Sequence, residues 1–215
     1  MHLYIIRHGE SHINLNEWMP GEGQTMDASL TDLGRVQAEA LATWLPGSVP
    51  HIDAIFASTM LRARETAAPL SAAYNVPVTF DDFLREIGNS MIDHSPVPVD
   101  RMPRTASYDK KDEDPFLPMV KDLIGVETFM HFRSRIGMFL TRLAREHQGK
   151  HLVVVCHGGV VNGIFDHAFN VGPYRRADIW VPNTGVTYFE YLYEPFVEPW
   201  RLHYACRTEH LAPRH

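Results

Sequence analysis

The chain has 215 residues, 45% of them apolar, which suits one packed domain or one domain with a modest insert. That composition excludes a disordered, collagen-like or low-complexity protein, and 20 basic against 26 acidic residues, a net charge of −6, argues against nucleic acid as a partner. Thirteen His against two Cys make histidine the residue type to explain, as metal ligands, catalytic groups or scattered surface.

Leu3 to Ile6 is an apolar run of strand length. It is too short for the apolar region of a signal peptide and follows no charged segment, so a cytoplasmic protein is expected. No window approaches the roughly 18 apolar residues of a membrane helix, and no membrane partner is expected. Leu33, Val36, Ala40, Leu41, Trp44 and Leu45 follow helical spacing, with Gly47 as a stop. Ile52 to Phe56 reads as a second strand. Ala63, Ala67, Leu70 and Ala73 mark a second helix, and Val76 to Phe80 a third strand.

The rhythm then breaks. From Asn89 to Gly125 the chain carries Pro96, Pro98, Pro103, Pro115 and Pro118 and a charge run from Asp109 to Asp114. Residues 89–125 read as a lid or substrate-specificity insert inside a single domain spanning 1–215. Arg101, Arg104, Lys110 and Lys111 in it could meet a second anionic group.

Phe129, Phe132, Ile136, Phe139, Leu140 and Leu143 form an amphipathic helical stripe, with Thr128 at its start and Arg133, Arg135 and Arg142 on other faces. Leu152 to Cys156 is continuous and β-branched, the pattern of a strand buried on both faces. A helix from about Gly159 to Phe169 and strands at Val186 to Tyr191 and Arg201 to Ala205 complete the chain. Strands alternating with helices predict an α/β fold, a three-layer α/β/α sandwich with a mainly parallel central sheet and a lid insert. The apolar carboxyl-terminal strands could form a homodimer surface. Cys156 and Cys206 make neither a disulfide framework nor a zinc spacing.

Two histidines occupy similar places. His8 follows the first strand in Ile5-Ile6-Arg7-His8-Gly9, and His157 follows the buried strand in Val155-Cys156-His157-Gly158-Gly159. In an open α/β sheet, ligands bind beyond the carboxyl ends of the strands. Both imidazoles reach one pocket if their strands are neighbours. Arg7 precedes His8, and Arg62 comes early in the second helix. Guanidinium forks beside imidazoles suit a phosphoryl group, whose oxygens they bind bidentately. The competing interpretation is that each His is a strand-end residue satisfied by a carbonyl.

At this point a resemblance is carried by residues. Arg7-His8-Gly9-Glu10-Ser11 with Asn14, Ser29 to Ala38, Ser58 to Ala67 and Leu84-Arg85-Glu86 resemble, in order, segments of the histidine phosphatase superfamily. Gly125-Val126-Glu127-Thr128 with Arg135, Val155 to Gly159 and Asn183 to Thr187 continue the series. The matches span residues 3 to 190.

The resemblance implies that His8 is the nucleophile receiving the phosphoryl group. Arg7, Arg62 and His157 would surround its oxygens, Glu86 would be the general acid and then the base, and Asn14 and Gly158 would help bind phosphate. It implies a small phosphorylated substrate, no cofactor and no metal. Arg64 is expected to be structural, and Glu127 to cap its own helix. The other eleven His show no ligand spacing, with His94 the one lid contact.

A metal-independent phosphomonoesterase is the favoured reading. Phosphoglycerate mutase-type transfer is the alternative, although Leu15 to Gly23 lacks the mutase-like Arg-Phe-x-Gly-Trp. A non-catalytic phosphate-binding module would be expected to have lost His8 or an arginine. A metal-dependent hydrolase would need converging His and carboxylate ligands.

Overall fold

A computed structural model describes residues 1–15, 19–21, 25–103, 114–120, 123–174 and 177–211. Among these, six strands form one sheet: β1 (His2–Arg7), β2 (Ala54–Ser58), β3 (Val78–Asp81), β4 (His151–Cys156), β5 (Val186–Tyr191) and β6 (Trp200–Arg207). Four longer helices accompany them: α1 (Asp32–Ser48), α2 (Leu61–Tyr74), α3 (Phe129–Glu146) and α4 (Gly158–Ala168). The strand order is β3-β2-β4-β1-β5-β6. The first four strands in that order pair in parallel, and β5 and β6 run antiparallel at one side. This is the predicted α/β architecture.

Alternation along the central strands builds the two cores. Leu3, Ile5, Leu152 and Val154 face α3 and α4, with Phe132, Phe139, Leu140 and Ile164. Their neighbours Tyr4, Ile6, Val153 and Val155 face α1 and α2, with Leu41, Leu45, Ala63 and Leu70. Because both faces are covered, the central strands read as continuous apolar runs. Thr31 and Thr128 cap α1 and α3, their hydroxyls accepting from Gly34 N and His131 N. Gly47 does not end α1, which runs to Ser48.

Arg135 corrects the predicted face of α3. It is fully buried with the apolar stripe, because Glu127, also fully buried, faces it in a two-pronged ion pair. A charge can enter the core when its partner and hydrogen bonds enter with it. Glu127 therefore does not cap α3.

Described parts of the 89–125 segment attach to the domain by their own packing. Val97, Met102, Leu123 and Val126 cluster with Met60. Antiparallel bridges join Ser90 to Pro96 and Met91 to Val126. His94 lies edge-on to Phe83. Arg104, Lys110, Lys111 and most of the charge run lie outside the described residues. No helix among the described residues is long and apolar enough to cross a membrane.

The loop after β1 is seated on α1 by glycine contact. A Cβ on Gly34 would lie 1.9 Å from the Glu10 carbonyl oxygen, and one on Gly9 would lie 2.6 Å from that of Gly34. Both obstructions are backbone, which cannot swing aside. Gly34→Ala should therefore destabilise the protein by about 1–3 kcal/mol, the usual overpacking cost. Gly47→Ala, in the same helix with nothing within 4 Å of its Cβ, should stabilise by about 0.5–1 kcal/mol through helix propensity. Urea denaturation of both variants checks the contrast, which disappears if the α1 contact is loose, because both changes then stabilise.

Candidate active site

The parallel pairing of β1 with β4 sets Arg7 opposite Cys156. The residue after each is a histidine, so His8 and His157 leave the sheet side by side, their ring centroids 5.1 Å apart and edge to face. His8 N continues the ladder to Cys156 O at 2.9 Å. β2 pairs with the other edge of β4 and ends at Ser58. Ser58 Oγ lies 2.8 Å from His157 Nε2. Arg62, on the first turn of α2, places Nε 3.1 Å from His8 Nε2. The arrangement brings His8, His157, Arg7 and Arg62 together as the sequence predicts.

The tautomer of His8 follows from its partners. Nδ1 lies 2.7 Å from the Gly9 carbonyl oxygen, which can only accept, so Nδ1 carries the proton. Nε2 then keeps its lone pair and receives the Arg62 N–H. Burial, then the positive charges of Arg62 and Arg7, hold the His8 pKa well below that of free imidazole, against the opposing pull of the Gly9 carbonyl. Burial and then Arg62 do the same to His157. Both rings are neutral at pH 7. Arg62 remains a cation there, although burial lowers its pKa to about 10.

Hydrogen bonds from four directions fix the His8 backbone and its neighbours. Asn183 Nδ2 donates to His8 O at 3.0 Å, and Thr184 N to Arg7 O at 2.9 Å. Gly9 N donates to Thr66 Oγ1, whose hydroxyl donates to Arg62 O. The Arg7 guanidinium donates from Nη1 to Val181 O at 2.5 Å. Thr184 adopts a left-handed φ of 55°, which turns the chain from this loop into β5.

In this pocket three buried nitrogens have no hydrogen-bond partner among the described residues: Arg7 Nε, Arg62 Nη1 and His157 Nδ1. Buried polar atoms are nearly always satisfied, so a cluster of unsatisfied ones needs an explanation. Arg62 Nη1 lies 4.0 Å from Asp27 Oδ1, an ion-pair distance without a hydrogen bond. Ser58 Oγ already accepts from Met60 N at 3.3 Å. A hydroxyl has one donor and two acceptor sites, so Ser58 can also pair with either tautomer of His157, and when it donates to Nε2 the ring's proton lies on Nδ1. Two cations and a second imidazole beside the His8 lone pair form a pocket for an oxyanion.

Glu86 enters from the turn after Arg85. Its Oε2 accepts from Gly159 N at 3.2 Å, and its Oε1 from Ile87 N at 2.9 Å. Its charge acts on both Arg7 and Arg62. Gly159 is required by that approach, since a Cβ there would sit 2.3 Å from Glu86 Oε1. Gly158 faces Arg7, with room for a Cβ at 3.8 Å from Arg7 Nε. Asn14 is exposed, and its Oδ1 accepts from the Ser11 amide and hydroxyl, forming a local turn. Arg64 points outward over the Phe80 ring. Cys156 is buried and its thiol pKa is raised by burial, so it is no nucleophile.

Sequence reasoning missed the Ser58 contact, the Thr66 bridge and the Val181 carbonyl. Ser58 and Thr66 lie inside a segment already singled out, but nothing marks their hydroxyls. A carbonyl contact leaves no side-chain signal. Among the described residues no group of three or more His, Cys, Asp or Glu is placed to hold a metal ion.

A neutral imidazole flanked by buried guanidinium groups at the carboxyl ends of parallel strands defines a phosphoryl-handling α/β protein. The chain belongs to the histidine phosphatase superfamily (branch 1), whose model matches residues 3–198. A Schizosaccharomyces pombe protein described as a probable phosphatase is 32% identical over 171 residues, covering 78% of this chain and 73% of its own. A metal-independent phosphoserine phosphatase of Arabidopsis thaliana is 26% identical over 167 residues, covering 76% of this chain and 66% of its own. The crystal structure of a phosphoserine phosphatase mutant from Entamoeba histolytica in complex with phosphoserine has the same fold. It superposes with a TM-score of 0.72 at 22% identity, covering 98% of this chain and 99% of that one.

The buried neutral histidines make stability depend on pH. Below about pH 6.5 the unfolded chain protonates His8 and His157, whereas the fold holds both pKa values lower. Their contribution is therefore fully present above that pH and is lost as pH falls below it. Each should add a slope of about 1.4 kcal/mol per pH unit in that window. Urea titrations between pH 7.5 and 5 should show a shallower slope for His8→Asn/His157→Gln than for wild type. Equal slopes would mean that the two rings are accessible to protons in the fold.

Proposed function

We propose that the chain is a metal-independent phosphomonoesterase acting on a small phosphorylated molecule through a phosphohistidine at His8. The observation that carries this reading is the His8 ring, tethered through Nδ1 to Gly9 O with Nε2 left as the base of the pocket. In this reading Nε2 attacks phosphorus while Arg7, Arg62 and His157 hold the equatorial oxygens. Glu86 protonates the leaving oxygen as the P–O bond breaks. A water then attacks the phosphohistidine, giving its proton to Glu86, and the P–N bond breaks to release phosphate and restore neutral His8. Charge stabilisation of this kind is commonly the largest catalytic contribution.

Asn14 and Gly158 border the phosphate pocket in this reading, Asn14 through the turn that follows Ser11 and Gly158 at the start of α4. In this reading the 89–125 insert, its described parts anchored around Met102 and Leu123, sets substrate choice within a single 1–215 domain. The two free cysteines suit a reducing compartment such as the cytoplasm.

A panel of phosphomonoesters, assayed with EDTA present, tests the proposal. Wild type should turn over p-nitrophenyl phosphate unaffected by EDTA, and a denaturing alkaline quench should trap base-stable, acid-labile phosphate on the protein. His8→Ala should remove both the label and the activity. Arg62→Ala should lower kcat by about a hundredfold or more. Activity that survives in His8→Ala, or that EDTA abolishes and zinc restores, overturns the mechanism. Including 3-phosphoglycerate distinguishes hydrolysis from mutase transfer, since only the latter yields the 2-phosphate isomer.

A further inference from the structure

Glu86 sits on an irregular turn, and its carboxylate is held chiefly by main-chain amides. A general acid on such a turn must be held by something else, because a displacement of about 1 Å can cost a hundredfold in rate. The most deeply buried ion pair described in the chain lies directly behind it. Arg135 Nε donates to Glu127 Oε2 at 2.8 Å and Arg135 Nη2 to Glu127 Oε1 at 2.8 Å, with both side chains fully buried.

The remaining bonds of this pair go to the turn that carries Glu86. Arg135 Nη1 donates to Phe83 O at 2.6 Å, and Nη2 to Glu86 O at 3.3 Å. Glu127 Oε1 accepts from Gly88 N at 2.8 Å. The pair thus grips the main chain before, at and after Glu86. Its own backbone is tied into the adjacent segment, with Glu127 N donating to Ser90 O and Met119 N to Glu127 O. The Arg135 guanidinium also lies 4.8 Å from the Phe132 ring centroid, which fixes its plane.

A buried ion pair is often no more stabilising than apolar residues of similar volume. Stability alone therefore does not account for a pair whose spare donors and acceptors all meet one turn. We infer that Glu127 and Arg135 are positioning residues that hold Glu86 at the leaving-group oxygen. This inference rests on the proposed role of Glu86 as general acid.

The test compares p-nitrophenyl phosphate with phenyl phosphate, aryl esters that differ by one para nitro group and so in how much the leaving oxygen needs a proton. General acid catalysis contributes about 10²–10⁴-fold and matters most for the more basic leaving group. Glu86→Gln should lose at least about tenfold more kcat/KM on phenyl than on p-nitrophenyl phosphate. The double variant Glu127→Leu/Arg135→Met, which leaves no unpaired charge, should show the same selective loss, in kcat with little change in KM, in a protein whose circular dichroism shows that it is still folded.

Should the double variant fail to fold, Arg135→Lys carries the same expectation, since it keeps the charge but loses the fork. An equal loss on both esters, or none, in a folded variant overturns the positioning role while leaving a selective Glu86→Gln effect standing. A Glu86→Gln variant with no leaving-group selectivity overturns the acid assignment and the inference with it.

Discussion

The site depends on the pairing of β1 with β4. Parallel pairing aligns the carboxyl ends of two strands that lie far apart in sequence, with Arg7 opposite Cys156. Each strand then releases a histidine at the same level, which brings the imidazoles to 5.1 Å. A shift of one residue would turn each side chain to the opposite face of the sheet. The apolar side chains of both strands lock the register, because each alternate residue fills one of two separate cores. The cores therefore position the histidines as directly as any hydrogen bond in the pocket does.

Around that pair the fold keeps water out and charge in. His8 and His157 are buried, and Arg62 is buried with them. Confining cations beside neutral rings is costly in a medium of low dielectric. It is tolerable here because the Arg7 guanidinium meets the Val181 carbonyl and Glu86 sets a negative charge near both arginines. The three unsatisfied nitrogens that remain are suited to an oxyanion, which would complete their hydrogen bonding. An acidic chain can in this way keep a small cationic pocket, with its net charge spread elsewhere over the surface.

The thirteen histidines divide accordingly. His8 and His157 are placed by strand ends and followed by glycine. Others belong to the surface of the sheet's opposite end, where His2 stacks on His151 at 4.2 Å and His203 on Tyr188 at 4.3 Å. His210 hydrogen-bonds Thr184, which itself holds the Arg7 carbonyl. A count of a residue type thus says little until position along strands is considered.

Much of the fold and site was legible in the sequence, because both are written in local patterns. Apolar runs gave the six strands and apolar stripes the four helices. The His-Gly turns, with Arg7 and Arg62 beside them, marked the pocket. What stayed hidden was whatever depends on contacts between distant segments. Arg135 looks like a surface residue until Glu127, brought in from the turn before α3, makes its burial possible. Ser58 looks like a strand end until β2 lies beside β4 and its hydroxyl meets His157. Gly34 looks like an ordinary helix-start residue until the Glu10 carbonyl presses against it. Periodicity and residue chemistry act within a few turns of chain, so the sequence by itself determined the elements and marked the side chains that meet in the pocket. Partners for buried charge, and the direction of each donor, arise only when the elements pack, so the tertiary structure alone decided them.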